Sequence, residues 1–235
     1  MPHPTSIPGR IRSIMGLLIH HLHVSQSERL PWLCEELGVA YELKTYRRAP
    51  ILAPPEYKAL HPAGTAPVIQ DGDITLAESG ACIEYIAHRH GGGRLFLPPT
   101  HKEYADFLYW WHWPNATFQP SLGRAMAARV AGIPADSMPA KLAHDRLNAG
   151  LQMLETRLAK NEWLAGSEFT VADVMVVFSL TTFRYFFSFS LREYSNVLRY
   201  LERVGQRGAY QRAMSRCDPD MVLVLGAEGP EKTVL

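Results

Sequence analysis

Residues 60–90, LHPAGTAPVIQDGDITLAESGACIEYIAHRH, constrain the fold more than any other part of the chain, because four local signals follow one another there without a gap. Pro67 sits after a Gly-Thr turn and leads straight into Val68 and Ile69. It therefore marks the entry to a short strand, where its bond to Ala66 is a candidate for the cis form. Asp71-Gly72 then reverses the chain, with Val68 to Gln70 before it and Asp73 to Leu76 after it, which predicts a tight hairpin. After Ala77-Glu78-Ser79 the apolar period changes to that of a helix through Cys82, Tyr85 and Ile86, and Gly91 ends it. A carboxylate and a hydroxyl thus stand at a helix N-terminus.

That placement has two readings. Glu78 and Ser79 can simply cap the helix. Alternatively, the unpaired backbone N–H groups of the first turn and the hydroxyl of Ser79 receive a ligand carboxylate, while Glu78 accepts from an ammonium group. A residue preceding a cis proline has its own N–H and C=O free at the turn edge, so Ala66 can pair strand-fashion with an extended peptide.

Upstream, LLIHHL at 17–22 predicts a first strand. His20 and His21 are neighbours on that strand and point to opposite faces, so they do not make one metal site unaided and are read as structural or surface residues. Residues 23–29, HVSQSER, connect it to a helix whose apolar face carries Leu30, Leu33, Cys34 and Leu37 and which Gly38 closes. Residues 41–46 alternate as a second strand, followed by an irregular proline-rich segment. A βαβ unit followed by a ββα unit predicts a thioredoxin-like layer.

The order of turn, proline, hairpin and Glu-Ser at a helix start resembles the glutathione-binding half of cytosolic glutathione transferases. The resemblance extends from about residue 15 to 217. It implies that main-chain atoms of Ala66 hold the cysteinyl part of glutathione, with Thr65 beside it, and that Glu78 and Ser79 hold the γ-glutamyl end. Serine-type members, theta- and phi-like, place the active serine four residues ahead of an arginine that opens the first helix, and Ser25 stands four before Arg29. A free thiol has a pKa of about 8.5, whereas attack on an electrophile needs the thiolate. A hydroxyl donor and a helix N-terminus both favour that anion, the donor contributing roughly 2–4 kcal/mol to the transition state. Ser27 competes with Ser25 for this role, its other reading being the N-cap. Arg47, Arg48, Lys58 and His61 are the nearby basic groups for the glycyl carboxylate, and none is assigned.

GGGRLFLPPTH at 91–101 separates the halves. The resulting domain plan is a disordered N-terminal extension over 1–14, a glutathione-binding domain over 15–91, a linker over 92–100, an all-helical domain over 101–220 and a tail over 221–235 whose final stretch, GAEGPEKTVL at 226–235, reads as disordered. In the helical half, residues 101–122 carry Trp110, Trp111 and Trp113 with Pro114 as a kink. Most of these aromatics read as core, with Trp110 and Trp113 as candidates to line a hydrophobic co-substrate pocket. Residues 141–158 form a second amphipathic helix. Thr170 and Asp173 form a capping box ahead of VMVVF, a run apolar on all sides that marks a central buried helix.

Composition excludes several classes. The 24 basic and 23 acidic residues nearly cancel, to a net charge of +1, and no basic run suggests nucleic acid. No apolar segment is long enough for a membrane span or a signal peptide. Three cysteines, Cys34, Cys82 and Cys217, have no metal-binding spacing and fit a reducing, cytoplasmic setting. The resemblance implies a homodimeric enzyme that uses glutathione, without a metal, on a hydrophobic electrophile or a peroxide. A glutathione-dependent disulfide reductase and a non-catalytic binding module of the same fold are the competing functions.

Overall fold

The computed structural model describes residues 16–234; the extension expected over 1–14 lies outside them. The N-terminal half is a four-stranded sheet in the order β2-β1-β3-β4. Strand β1 (Leu17–Leu22) runs parallel to β2 (Glu42–Tyr46) and antiparallel to β3 (Val68–Asp71), which turns through Gly72 (φ 59°) into β4 (Ile74–Ala77). Helix α1 (Arg29–Leu37) supplies the crossover between the parallel strands and ends on Gly38, whose φ of 64° carries no Cβ penalty. The irregular segment contains one short helix, α2 (Pro55–Lys58), where proline occupies the first turn and has no N–H to waste. Helix α3 (Ser79–Arg89) follows β4 directly.

Every residue of β1 is buried, because both faces of this small sheet are covered. Leu17 and Ile19 join the main core with α1 and α3, while Leu22 on the other face packs with Tyr46, Tyr57 and Val68. The strand period therefore separates the two histidines: His20 meets the Tyr46 hydroxyl and Gln70, and His21 meets Ser27 and Asp218.

In the second half, α4 (Tyr104–Trp113) continues without a break through a π-helical turn (Pro114–Phe118) into α5 (Gln119–Val130). Proline lacks the N–H that a regular helix would use, and the wider turn absorbs that loss. Helix α6 (Met138–Leu158) packs against α5, bringing Gly150 so close to Phe118 that an added Cβ would lie 2.8 Å from its ring. Helix α7 (Val171–Leu180) is buried along its whole length, at the centre of the bundle. Both halves of the expected capping box are present at its start. Helices α8 (Ser195–Gly205) and α9 (Gly208–Cys217) complete the layer, α9 packing against α1.

The expectation of a disordered tail does not hold for its described residues. Arg184, fully buried, donates to the carbonyls of Gly226 and Ala227 at 2.8 and 2.7 Å, and the Leu191 N–H donates to Ala227. The composition of the tail hid this, because the contacts that hold it go to its backbone.

Candidate functional site

The turn after β1 carries the candidate nucleophile-activating group. Val24 adopts φ 53°, a conformation that costs a β-branched residue on the order of 1–3 kcal/mol. Ser25 then takes an extended backbone, and its hydroxyl accepts the Ser27 N–H at 3.2 Å, capping the short 3-10 turn Gln26–Glu28 that runs into α1. The reading of Ser27 as the N-cap is thereby corrected. Its hydroxyl is fully buried, 2.9 Å from His21 Nδ1 and 2.7 Å from Ser25 Oγ, and it accepts the Leu22 N–H.

At the start of α3, Glu78 is the second non-glycine residue near the site with a positive φ, 73°. Its side chain makes no capping hydrogen bond and is exposed, and Ser79 is buried with its hydroxyl facing inward. Plain helix capping therefore does not account for the pair. Ser79 Oγ accepts from Arg29 at 3.1 Å and from Asn115 at 3.2 Å. The Arg29 guanidinium also donates to Gln26 and Gln119 and lies over the Phe178 ring. It is fully buried, its Nε has no partner, and among the described residues no carboxylate pairs with it. Burial pushes its pKa down to about 9, with Glu28 partly opposing. Glu28 does not serve as the counter-ion. Burial raises its carboxyl to about 8, so at neutral pH it is protonated beside the Thr182 hydroxyl. A buried cation with spare donor capacity beside Ser79 is a place for an anionic ligand group.

Ala66 joins the same cluster. Its bond to Pro67 is cis, and its carbonyl accepts from the Gln26 amide at 2.9 Å. Gln26 and Arg29, one and four residues after Ser25, thus connect the serine turn to Ala66 and to Ser79. Thr65 lies next to Ala66 and is exposed.

Trp110 and Trp113 are not part of this constellation. Both are buried, in edge contact with each other, and Trp113 stacks on Phe118 against α6. Trp110 borders a hollow of about 610 Å³ shared with Tyr109, Met153 and Arg157, which none of Ser25, Ala66, Glu78 and Ser79 lines. The residues that the α4–α5 rod turns toward the cluster are Asn115 and Gln119, polar positions inside and just after the π turn. Sequence periodicity missed them because that turn shifts the face of the helix. Arg29 had a signal: a charge in the first turn of the apolar face that carries Leu30, Leu33 and Leu37.

Of the basic candidates, Arg48 donates to the carbonyls of His23, Val24 and Ile51 and so braces the serine turn. Arg47 and Lys58 are exposed. The three cysteines are buried, and burial raises each thiol, that of Cys82 to about 12. None supplies a thiolate near neutral pH. Among the described residues, His21, His23 and Asp218 are the one group of metal-ligand types whose atoms converge, within 4.8 Å. Their ring nitrogens face the carboxylate at 3.0 and 2.7 Å, which also takes the Val24 N–H, so the group is a closed hydrogen-bonded cluster. A cavity of about 1300 Å³ borders this cluster, lined by His23, Arg47, Tyr185, Asp218 and the tail, and by none of Ala66, Glu78 and Ser79.

A thioredoxin-like sheet joined to an all-helical bundle, with a polar cluster where the cis turn, the start of α3 and the first helix meet, defines a two-domain fold class. The family model described as glutathione S-transferase, N-terminal domain, matches residues 25–89, and the one described as glutathione S-transferase, C-terminal domain, matches 127–203. The chain belongs to the glutathione S-transferase family. Glutathione S-transferase 3 of Schizosaccharomyces pombe is 28% identical over 220 residues, 86% of this chain and 88% of the relative. Glutathione S-transferase F10 of Arabidopsis thaliana is 31% identical over 171 residues, 68% and 77% of the two chains. Among solved structures, a glutathione S-transferase from Actinobacillus pleuropneumoniae superposes with a TM-score of 0.75 at 30% identity, over 89% of this chain and 98% of that one. A theta class enzyme from Xanthomonas axonopodis pv. citri with glutathione bound gives 0.65 at 27%, over 85% and 97%. No helix among the described residues is long and apolar enough to cross a membrane.

Proposed function

We propose that the protein is a serine-type glutathione transferase in which Ser25 stabilises the thiolate of glutathione for attack on a hydrophobic electrophile or a peroxide. The observation that carries this is the pair of contacts from the serine turn, Gln26 to the Ala66 carbonyl and Arg29 to Ser79. They draw into one cluster the groups that would hold the cysteinyl and γ-glutamyl parts of one tripeptide. Ala66 and Thr65 receive the cysteinyl main chain. Glu78 accepts the ammonium group, and Ser79 with Arg29 receives the α-carboxylate. Sulfur then lies over Ser25 and the first turn leading into α1, where a hydroxyl and aligned backbone N–H groups favour the anion.

Thiol exchange through a protein cysteine finds no support, since Cys34, Cys82 and Cys217 are buried with raised pKa values. The domain plan of a glutathione-binding unit over 15–91 and a helical unit over 101–220 is part of the same reading. So is a homodimer, which membership of the family implies. The test is retention of the full chain on immobilised glutathione, with conjugation, peroxide reduction and disulfide reduction assayed in parallel. Retention with conjugation or peroxidase turnover is expected. Retention without turnover in any of the three contradicts the enzymatic reading.

A further inference from the structure

Behind Ser25 an unbroken series of hydrogen bonds runs into the protein, and the activity just proposed does not use it. Ser25 Oγ is 2.7 Å from Ser27 Oγ, which is 2.9 Å from His21 Nδ1. His21 Nε2 is in turn 3.0 Å from Asp218 Oδ2. Asp218 lies just past the end of α9, so the far end of the chain returns to the turn after β1. Its other oxygen is fixed by His23 Nδ1 at 2.7 Å and by the Val24 N–H at 3.1 Å. His21 and Ser27 are fully buried, and at the far end Asp218 and His23 line the 1300 Å³ cavity.

The tautomer of His21 sets the direction of this series. With the His21 proton on Nε2, toward Asp218, Nδ1 offers a lone pair to the Ser27 O–H. Ser27 Oγ then accepts from the Leu22 N–H at 3.1 Å and from the Ser25 O–H. Ser25 Oγ accepts the Ser27 N–H and keeps one lone pair for a further donor. In that state Ser25 has no proton to give a thiolate, yet it can take one from a thiol.

We infer that Ser27, His21 and Asp218 form a proton relay behind Ser25, which moves the thiol proton of bound glutathione onto His21. This rests on the reading of Ser25 as the residue that meets sulfur. The S–H bond breaks with its electron pair left on sulfur, and its proton goes to Ser25 Oγ. The Ser25 hydroxyl proton passes to Ser27 Oγ, and the Ser27 hydroxyl proton forms the new Nδ1–H bond of His21. All donors are now reversed: His21 donates to Ser27, Ser27 to Ser25 and Ser25 to the thiolate. No proton leaves the protein and no other reactant is consumed. The imidazolium faces the Asp218 carboxylate. Burial alone would raise that carboxyl, but its bonds to His21, His23 and Val24 outweigh this and hold it below its ordinary pKa. Besides His23, the titratable groups around the pair are Glu28 before α1, Arg48 after β2, Tyr185 after α7 and Cys217 on α9. Ser27, His21 and Asp218 are positioning residues, since none touches substrate.

The experiment compares thiolate formed with protons released when the full chain binds glutathione. Thiolate is read by its ultraviolet absorbance, and protons by calorimetry in buffers of different ionisation enthalpy. The relay predicts a clear thiolate signal with much less than one proton released per thiolate. Asp218→Asn, which keeps the side-chain shape, is expected to raise the bound thiol pKa by about one unit, roughly a tenfold loss of thiolate at fixed pH. Its kcat should fall more than its KM for glutathione rises, and in a Ser25→Ala background it should add nothing. A purely structural Asp218 would lower the melting temperature and leave the thiol pKa alone. Release of a full proton by the wild type overturns the relay, even if the variant does not fold. If Ser25→Ala raises the thiol pKa while Asp218→Asn does not, the relay falls and the serine reading stands. A Ser25→Ala protein with an unchanged bound thiol pKa removes both, as does a wild type that does not bind glutathione.

Discussion

Ser25 and Glu28 lie three residues apart and do opposite things with a proton. Ser25, on the turn after β1, is the hydroxyl assigned to sulfur. Its replacement by alanine should lower kcat/KM for conjugation by about a hundredfold or more, corresponding to roughly 2–4 kcal/mol, because one donor to a developing anion is lost. Steady-state kinetics would read that loss, and calorimetry should find glutathione affinity changed far less. Glu28 is buried and holds its proton up to about pH 8, against an ordinary value of 4.5. Between those two values the folded state binds a proton that the unfolded state has lost. Its contribution to stability is therefore complete below pH 4.5 and disappears as pH rises to about 8. Glu28→Gln keeps an uncharged side chain of the same length beside Thr182. Denaturant titrations across this window should show a shallower decline for the variant, and an unchanged decline would contradict the assignment.

Among the elements, α7 is held by the most specific local device. Asp173 accepts the Thr170 N–H at 2.9 Å, the Leu164 N–H at 3.0 Å and the Tyr200 hydroxyl at 3.1 Å, so its box also fastens α8 and the preceding loop. Asp173→Ala should cost at least about 1 kcal/mol, and more for each buried donor left unpaired, with glutathione affinity unaltered. Equilibrium unfolding beside a glutathione titration checks both halves of that statement. This box was legible in the sequence because all its parts lie within four residues, and so was the hairpin around Gly72. The strand period of LLIHHL correctly sent His20 and His21 to different faces. What stayed hidden depended on partners distant in the chain. Nothing local announces that Asp218 reaches His21, or that Arg184 will gather the tail. Pro114 read as a kink, but the π turn it opens redirects the following residues, so Asn115 and Gln119 meet Arg29 and Ser79 while Trp110 and Trp113 remain in the core.

Across the whole molecule, the two halves are tied at several points. Glu36 on α1 accepts two bonds from Arg207 ahead of α9, and Asp218 and Thr182 reach the serine turn from the helical side. The tail closes the same side through Arg184. Replacing Arg184 with methionine removes three buried donors to main-chain carbonyls. It should release residues 226 and 227 first, seen as faster exchange of the Leu191 amide, which donates to the Ala227 carbonyl, together with a lower melting temperature. Protection of that amide equal to wild type would show that the tail is held by something else. The claim on which the rest depends is that one tripeptide spans the groups around the serine turn, and a crystal structure of the full chain with glutathione tests it most directly. The account predicts the cysteinyl main chain paired with Ala66, the γ-glutamyl end on Glu78, Ser79 and Arg29, and sulfur within hydrogen-bond reach of Ser25 Oγ. Glutathione bound elsewhere, or bound there with its sulfur turned away from Ser25, would contradict it.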